Sequence, residues 1–360
     1  MRFSICVMAD VDEIGFFSHA ESLGYDSVWV TDSQMLFSDC YAVLALAAQQ
    51  TRRIRLGPGV AICGTRIPPV HVAAMATLNR IAPGRVHLGV GTGNTATRSM
   101  GQPPMRIAEY DEYLRVLRDL LRGEAVDYSQ HGARPGAMRP IKMLIREKKY
   151  MSLEPRIPLY VSAFGPRAME LAGQHGDGVV FAIPPRGIAP AQALDHCRAG
   201  AARAGRRLDE SFHTCALTNI VLLDPGEPAD SERVIRTVGP NVMASVYYFY
   251  DRVHERGMDD PPPFLRRIWS RYCALVEEIP REHRHFRTHE GHYTYLHPGE
   301  AELIDAELVR ATCLVGEADE LIDRICDLER GGLRELMFAT GVDEKWRFSQ
   351  EFARRVMARY

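Results

Sequence analysis

Residues 85–94 read RVHLGVGTGN. The stretch begins as an alternating apolar strand and finishes with glycine at 89, 91 and 93. Glycine inside a strand costs stability, and a physical reason to keep it is that something flat or bulky must lie against the backbone. In α/β proteins the carboxyl end of a strand is where ligands are held. The segment therefore reads as the wall of a cofactor site, with an ordinary glycine-rich strand-to-helix turn as the alternative.

On either side of this stretch, strand-like and helical runs alternate. Phe3–Met8 reads as a strand, and Val11, Ile14, Phe17 and Ala20 follow at helical spacing. DSVWVTD (26–32) is a second strand, and helix 39–50 leads to a third at 54–62, which contains GPGV at 57–60. A helix from about Pro69 to Arg80 precedes the glycine-rich strand. Behind that strand, Ile107, Tyr110, Leu114, Leu117 and Leu121 step by three and four. The rhythm breaks over 123–157 and resumes with strand 159–162, helix 166–175, strand 178–182, helix 189–205 and strand 212–223. A second excursion, roughly 224–309, contains a helical piece at 264–278 and a histidine-rich loop. A helix marked by Leu321, Ile322, Ile325 and Leu328, strand 333–339 and helix 346–357 close the chain. Eight consecutive βα units close most simply as a (β/α)8 TIM barrel, with an open doubly wound sheet as the alternative. The expectation is one barrel domain over 1–360 carrying two insertions, at about 123–157 and 224–309.

Composition narrows the function classes. The chain has 360 residues, 46% of them hydrophobic, and a net charge of −2, which is enough for one large core. It offers no basic field for nucleic acid or anionic lipid, and no apolar run approaches a membrane span. Its eight cysteines form no Cys-x-x-Cys pair and read as reduced core residues. A cytoplasmic enzyme is expected.

In a barrel, chemistry belongs at the carboxyl ends of the strands. Those ends carry Met8–Asp10, Asp32–Gln34, Cys63–Arg66, Thr92–Asn94, Ser162–Gly165 and Ile183–Arg186. The set is rich in backbone and poor in charge, which suits a planar polar cofactor better than a metal. In SAFGPRAMELAGQHGDGVV (162–180), Gly165-Pro166 opens a helix with Arg167 in its first turn. Free N–H groups, the helix dipole and a nearby arginine make an anion site and suggest a phosphate; an ordinary turn with a surface arginine is the alternative.

GPGV (57–60), Thr-Arg-x-Pro (65–68), GRVHLGVGTGN (84–94), SAFGPR…AGQHGDGVV and VGEADELIDRICDLERGGLRELMF (315–338) together resemble the bacterial luciferase-like monooxygenase superfamily. The resemblance covers 1–223 and 310–358. It implies a TIM barrel that binds reduced FMN or the deazaflavin coenzyme F420. It further implies that Gly59 and Val60 form a bulge behind the ring, often with a non-proline cis peptide in deazaflavin members. Gly91, Thr92, Gly93 and Asn94 would line the cofactor, and Ala163, Phe164, Gly165 and Arg167 would hold its phosphate. Many relatives carry Asp-His after the second strand, whereas this chain has Asp32-Ser33 followed by Gln34. Ser33 and Gln34 can orient a substrate but are poor general acids near pH 7. Asp32, Thr65, Arg66, Tyr293 and Tyr295 are the substrate-binding candidates, and Ser33, Gln34, Asn94 and His292 the catalytic ones.

The second excursion also holds His283, His285, His289 and His297 with Glu290. The HEGH string at 289–292 spaces its histidines three apart, unlike His-Glu-x-x-His, so it reads as a solvated loop with no metal. VYYFY (246–250) reads as core or interface packing. The functional reading leans to a monooxygenase using reduced flavin and O2 on a small organic substrate. The alternative is an F420-dependent hydride-transfer reductase similar to methylenetetrahydromethanopterin reductase. A non-catalytic flavin-binding subunit would have lost the phosphate segment, which is present here. A homodimer, and a separate flavin reductase for the oxygenase case, are what the resemblance implies.

Overall fold

The computed structural model describes residues 1–129, 138–145, 149–256, 260–339, 341 and 344–360. Eight parallel strands form its centre: β1 (Arg2–Val7), β2 (Ser27–Val30), β3 (Arg55–Pro58, resuming at Ala61–Ile62), β4 (Leu88–Gly91), β5 (Leu159–Ser162), β6 (Gly178–Phe181), β7 (His213–Leu222) and β8 (Glu335–Ala339). Each coincides with a strand expected from the sequence. Strand β8 pairs with both β7 and β1, and β1 pairs with β2.

Closure runs through the broken third strand. Its first half pairs with β2, its second half pairs with β4, and Leu56 bridges to Val86. The Gly59–Val60 peptide between the halves is cis. The ring is thus a (β/α)8 barrel. Strand β2 is buried along its whole length, as expected where helices cover one face and the barrel interior the other. On helix Ile107–Leu121, Tyr110, Leu114, Leu117 and Leu121 all point into the core, which follows from their spacing.

The barrel axis is filled by Cys6, Trp29, Tyr160, Val180, Cys215, Met337 and Ala339. Below them Glu335, fully buried, accepts hydrogen bonds from Ser4 Oγ (2.7 Å), Ser27 Oγ (2.7 Å), Trp29 Nε1 (2.8 Å) and Arg55 Nη2 (2.9 Å). His213 Nε2 lies 2.7 Å from Oε2, the oxygen that also receives Arg55. A carboxylate can stay charged here because five groups take the place of water.

The excursions are more ordered than the sequence suggested. Within the first, Val126–Tyr128 and Arg139–Ile141 pair as an antiparallel hairpin; residues 130–137 and 146–148 of that segment lie outside the described set. The second leaves from the top of β7 and returns by a short strand, Leu314–Gly316, paired to β7's last residues. It contains a 25-residue helix, Glu232–Arg256, that the sequence reading did not single out; Pro240 sits inside it. Val246, Tyr247 and Tyr250 from VYYFY are core residues of this insertion.

Candidate active site

Because all eight strands run parallel, their carboxyl ends share one rim, and the candidate residues meet there. Asp32, 3% exposed, is a hub. It accepts from Ile62 N (3.0 Å), Gln34 Nε2 (2.6 Å), Cys40 Sγ (3.3 Å) and Arg66 Nη1 (2.8 Å). Arg66 also reaches Asp39 at 2.7 Å. Asp32 and Arg66 are therefore committed to each other and tie the loop after β2 to the loop after β3. Thr65 closes its own turn through Ile62 O at 3.0 Å. Gln34 Oε1, by contrast, is buried with no partner, so an acceptor faces the interior unused.

The glycines have two separate causes. A Cβ at Gly57 would lie 2.2 Å from His87 O, one at Gly59 2.6 Å from Trp29 Cβ, and one at Gly89 2.7 Å from Trp29 Cζ3. These three make room for side chains on the barrel axis. Nearer the rim, a Cβ on Gly91 would meet Val60 Cγ2 at 2.8 Å, and Gly93 takes φ +81, a left-handed value that side chains rarely adopt. Gly165 differs: a Cβ there would meet nothing within 4 Å. It stands at the N-terminus of helix Pro166–His175, which no side chain caps. An open cradle with free N–H groups is what an anion needs. Beside it Ala163 is buried, Arg167 is exposed and Phe164 is 55% exposed at the rim.

The insertion covers another part of the rim. Asn94 Oδ1 accepts from Arg98 Nε at 3.0 Å, and Arg98 reaches Asp251 Oδ2 at 3.3 Å. His289 Nε2 stands 3.4 Å from the same carboxylate oxygen. All three of Arg98, Asp251 and His289 are nine-tenths buried or more. This corrects the solvated-loop reading of HEGH, since His289 ends a short helix, Arg284–His289, and is enclosed by the ion pair. Among the described residues no group of three or more His, Cys, Asp or Glu could hold a metal ion.

His292 lies 3.3 Å from Thr95 Oγ1, next to Asn94. Burial and the neighbouring His289 push its pKa down to about 3, so the ring is neutral at pH 7. Tyr293 has φ 62, a conformation that costs a non-glycine residue about 1–2 kcal/mol. In that conformation its ring packs against both the axis cluster and the insertion core. Its hydroxyl faces the Arg186 guanidinium, and burial raises its pKa. Tyr295 is 44% exposed against His297 and contributes no contact to the barrel axis cluster.

Arg186, already counted among the strand ends, meets residues that the sequence reading did not single out. Arg186 Nη1 donates to Ser245 Oγ at 3.0 Å. Asn241, one helical turn before Ser245, donates to Asn219 Oδ1 at 3.3 Å, and its own Oδ1 is buried without a partner. Only the missed helix brings Asn241, Ser245 and Asp251 here, and the charged residue ending VYYFYD was the one signal available.

A closed parallel barrel with its strand tips gathered on one rim defines a class, the TIM-barrel proteins. Within it, the chain belongs to the luciferase-like monooxygenase family, which it matches over residues 10–335. It is similar to 5,10-methylenetetrahydromethanopterin reductase of Archaeoglobus fulgidus, 26% identical over 364 residues that cover 96% of each chain. F420-dependent glucose-6-phosphate dehydrogenase of Beutenbergia cavernae is 29% identical over 309 residues, covering 73% of this chain and 85% of the other. The solved coenzyme F420 dependent tetrahydromethanopterin reductase from Methanopyrus kandleri superposes with a TM-score of 0.70 at 22% identity, covering 100% of this chain and 99% of its own.

Proposed function

We propose that this enzyme transfers a hydride between the deazaflavin coenzyme F420 and a small organic substrate. The observation that carries the reading is the open cradle at Gly165, set beside the Gly91–Asn94 tip because β5 pairs with β4. A cofactor with a flat ring and a phosphate fits both features. Gly59, Val60, Gly91, Thr92, Gly93 and Asn94 would line the ring, and Ala163, Phe164, Gly165 and Arg167 the phosphate. When bound, the deazaflavin supplies a two-electron centre with carbon where flavin has the reactive nitrogen, which does not activate oxygen.

The protein's own groups bind and orient. Gln34 Oε1 is free to accept a hydrogen bond, and Ser33 stands beside it. His292, uncharged at neutral pH, orients through its ring N–H and brings no imidazolium proton. Tyr293 and the insertion keep water from that side of the rim. The relatives named for coenzyme F420 favour hydride transfer over the oxygenase reading with reduced FMN, which the family's own description keeps as the second reading. A cytoplasmic homodimer is the form proposed. Among the described residues no helix is long and apolar enough to cross a membrane, and all eight cysteines are free.

Titration with reduced F420, reduced FMN and FMN, with oxygen uptake recorded, tests this. Tight F420 binding without oxygen uptake is the expected result. Oxygen uptake on reduced FMN selects the second reading, and failure to bind any of the three overturns both.

A further inference from the structure

Around the strand tips, Arg66 is neutralised by Asp32 and Asp39, and Arg98 is paired with Asp251. Arg186 breaks this pattern. It follows β6 at the rim and is half-buried, and among the described residues no carboxylate lies within ion-pair distance of it. It donates to Ser245 Oγ at 3.0 Å, and the Tyr293 hydroxyl lies close enough to feel its charge. A half-buried guanidinium without a carboxylate partner is open to an anion, and its planar fork suits carboxylate and phosphate oxygens.

We infer that Arg186, Ser245 and Tyr293 form a subsite for the anionic group of the substrate, so that the substrate is a carboxylate or phosphate ester. Two observations beyond the arginine support it. Tyr293 is held in the left-handed region, which a tyrosine seldom adopts, with its ring packed between the axis cluster and the insertion core beside Arg186. Asn241 lies four residues before Ser245 on the same helix face and offers a buried, unpartnered Oδ1. That acceptor suits a hydroxyl or N–H of the substrate about one helical turn from its anion.

This subsite rests on the oxidoreductase reading but is tested apart from it. Wild type, Arg186→Lys and Arg186→Met are compared by thermal shift against inorganic phosphate and against succinate, with cofactor saturating so that the Gly165 cradle is filled. The expected result is a saturable rise in Tm for wild type with one anion, half-saturation at least tenfold weaker in R186M, and partial recovery in R186K. The anion that responds distinguishes phosphate from carboxylate. The same response in wild type and R186M, or none in wild type, overturns the subsite. Cofactor affinity, read by fluorescence, should be unchanged in R186M. If wild type binds no cofactor, the functional reading fails while the comparison of variants, run without cofactor, still decides the subsite. Should R186M not fold, Ser245→Ala and Tyr293→Phe each remove one hydroxyl and should weaken half-saturation severalfold; no change in either overturns the inference.

Discussion

The indole of Trp29 lies so close to the backbone of β4 that a Cβ on Gly89 would stand 2.7 Å from its Cζ3 and 2.6 Å from the carbonyl oxygen of Pro58. Neither neighbour can retreat, because Trp29 is fully buried with its Nε1 held by Glu335, and Pro58 is backbone of β3. Gly89→Ala should lower stability by about 1–3 kcal/mol, the usual penalty for overpacking a filled core. Urea unfolding measures it, and a change below a few tenths would show that the axis has slack.

Gly165 predicts the opposite pattern. Its φ of −141 is open to any residue, and a Cβ meets empty space, so Gly165→Ala should alter stability by less than about 0.5 kcal/mol. The added methyl sits in the cradle assigned to the cofactor phosphate, and affinity should fall at least tenfold in a fluorescence titration. Unchanged affinity would remove the phosphate from this helix.

Asp251 joins Arg98, beside the glycine tip, to His289 on the insertion. Asp251→Asn removes the carboxylate that Arg98 and His289 share at a buried site and should lower stability by about 1–3 kcal/mol. Faster proteolytic cleavage within 232–300 than elsewhere would locate the loss in the insertion, whereas uniform cleavage would argue that the ion pair does not fasten it.

Glu335 sets an acid limit. Burial alone would raise its pKa, but the hydrogen bond and charge of His213, the charge of Arg55 and the bond from Ser4 outweigh it and hold the carboxyl well below its ordinary 4.5. An unfolded chain takes up this proton near 4.5, the folded chain only at lower pH. The stability from Glu335 is therefore present above about 4.5 and is lost as pH falls below it. Glu335→Gln should reduce stability at pH 7 and flatten its slope below pH 4.5, as read from urea midpoints across pH; an unaltered slope would assign acid unfolding to other groups.

How much of this was legible differs from element to element. Strand β2 and helix Ile107–Leu121 announced themselves because their burial follows from period alone. Helix Glu232–Arg256 did not, since Pro240 carries a local signal for a break that packing against the insertion core overrides. The glycines of RVHLGVGTGN were read as making room for a flat cofactor against the backbone. What excludes a side chain at Gly89 is nevertheless Trp29, sixty positions earlier, which no local pattern could indicate.

By itself, then, the sequence determined the eight-unit barrel, its family and the rim on which chemistry is placed, because periodicity, turn residues and motif order are local quantities written along the chain. Only the tertiary structure decided that Asp32 and Arg66 neutralise each other while Arg186 has no carboxylate partner among the described residues, and that His289 is buried and Tyr293 turned into the rim. Those outcomes depend on distances between residues far apart in the chain, and distance sets charge, burial and proton affinity.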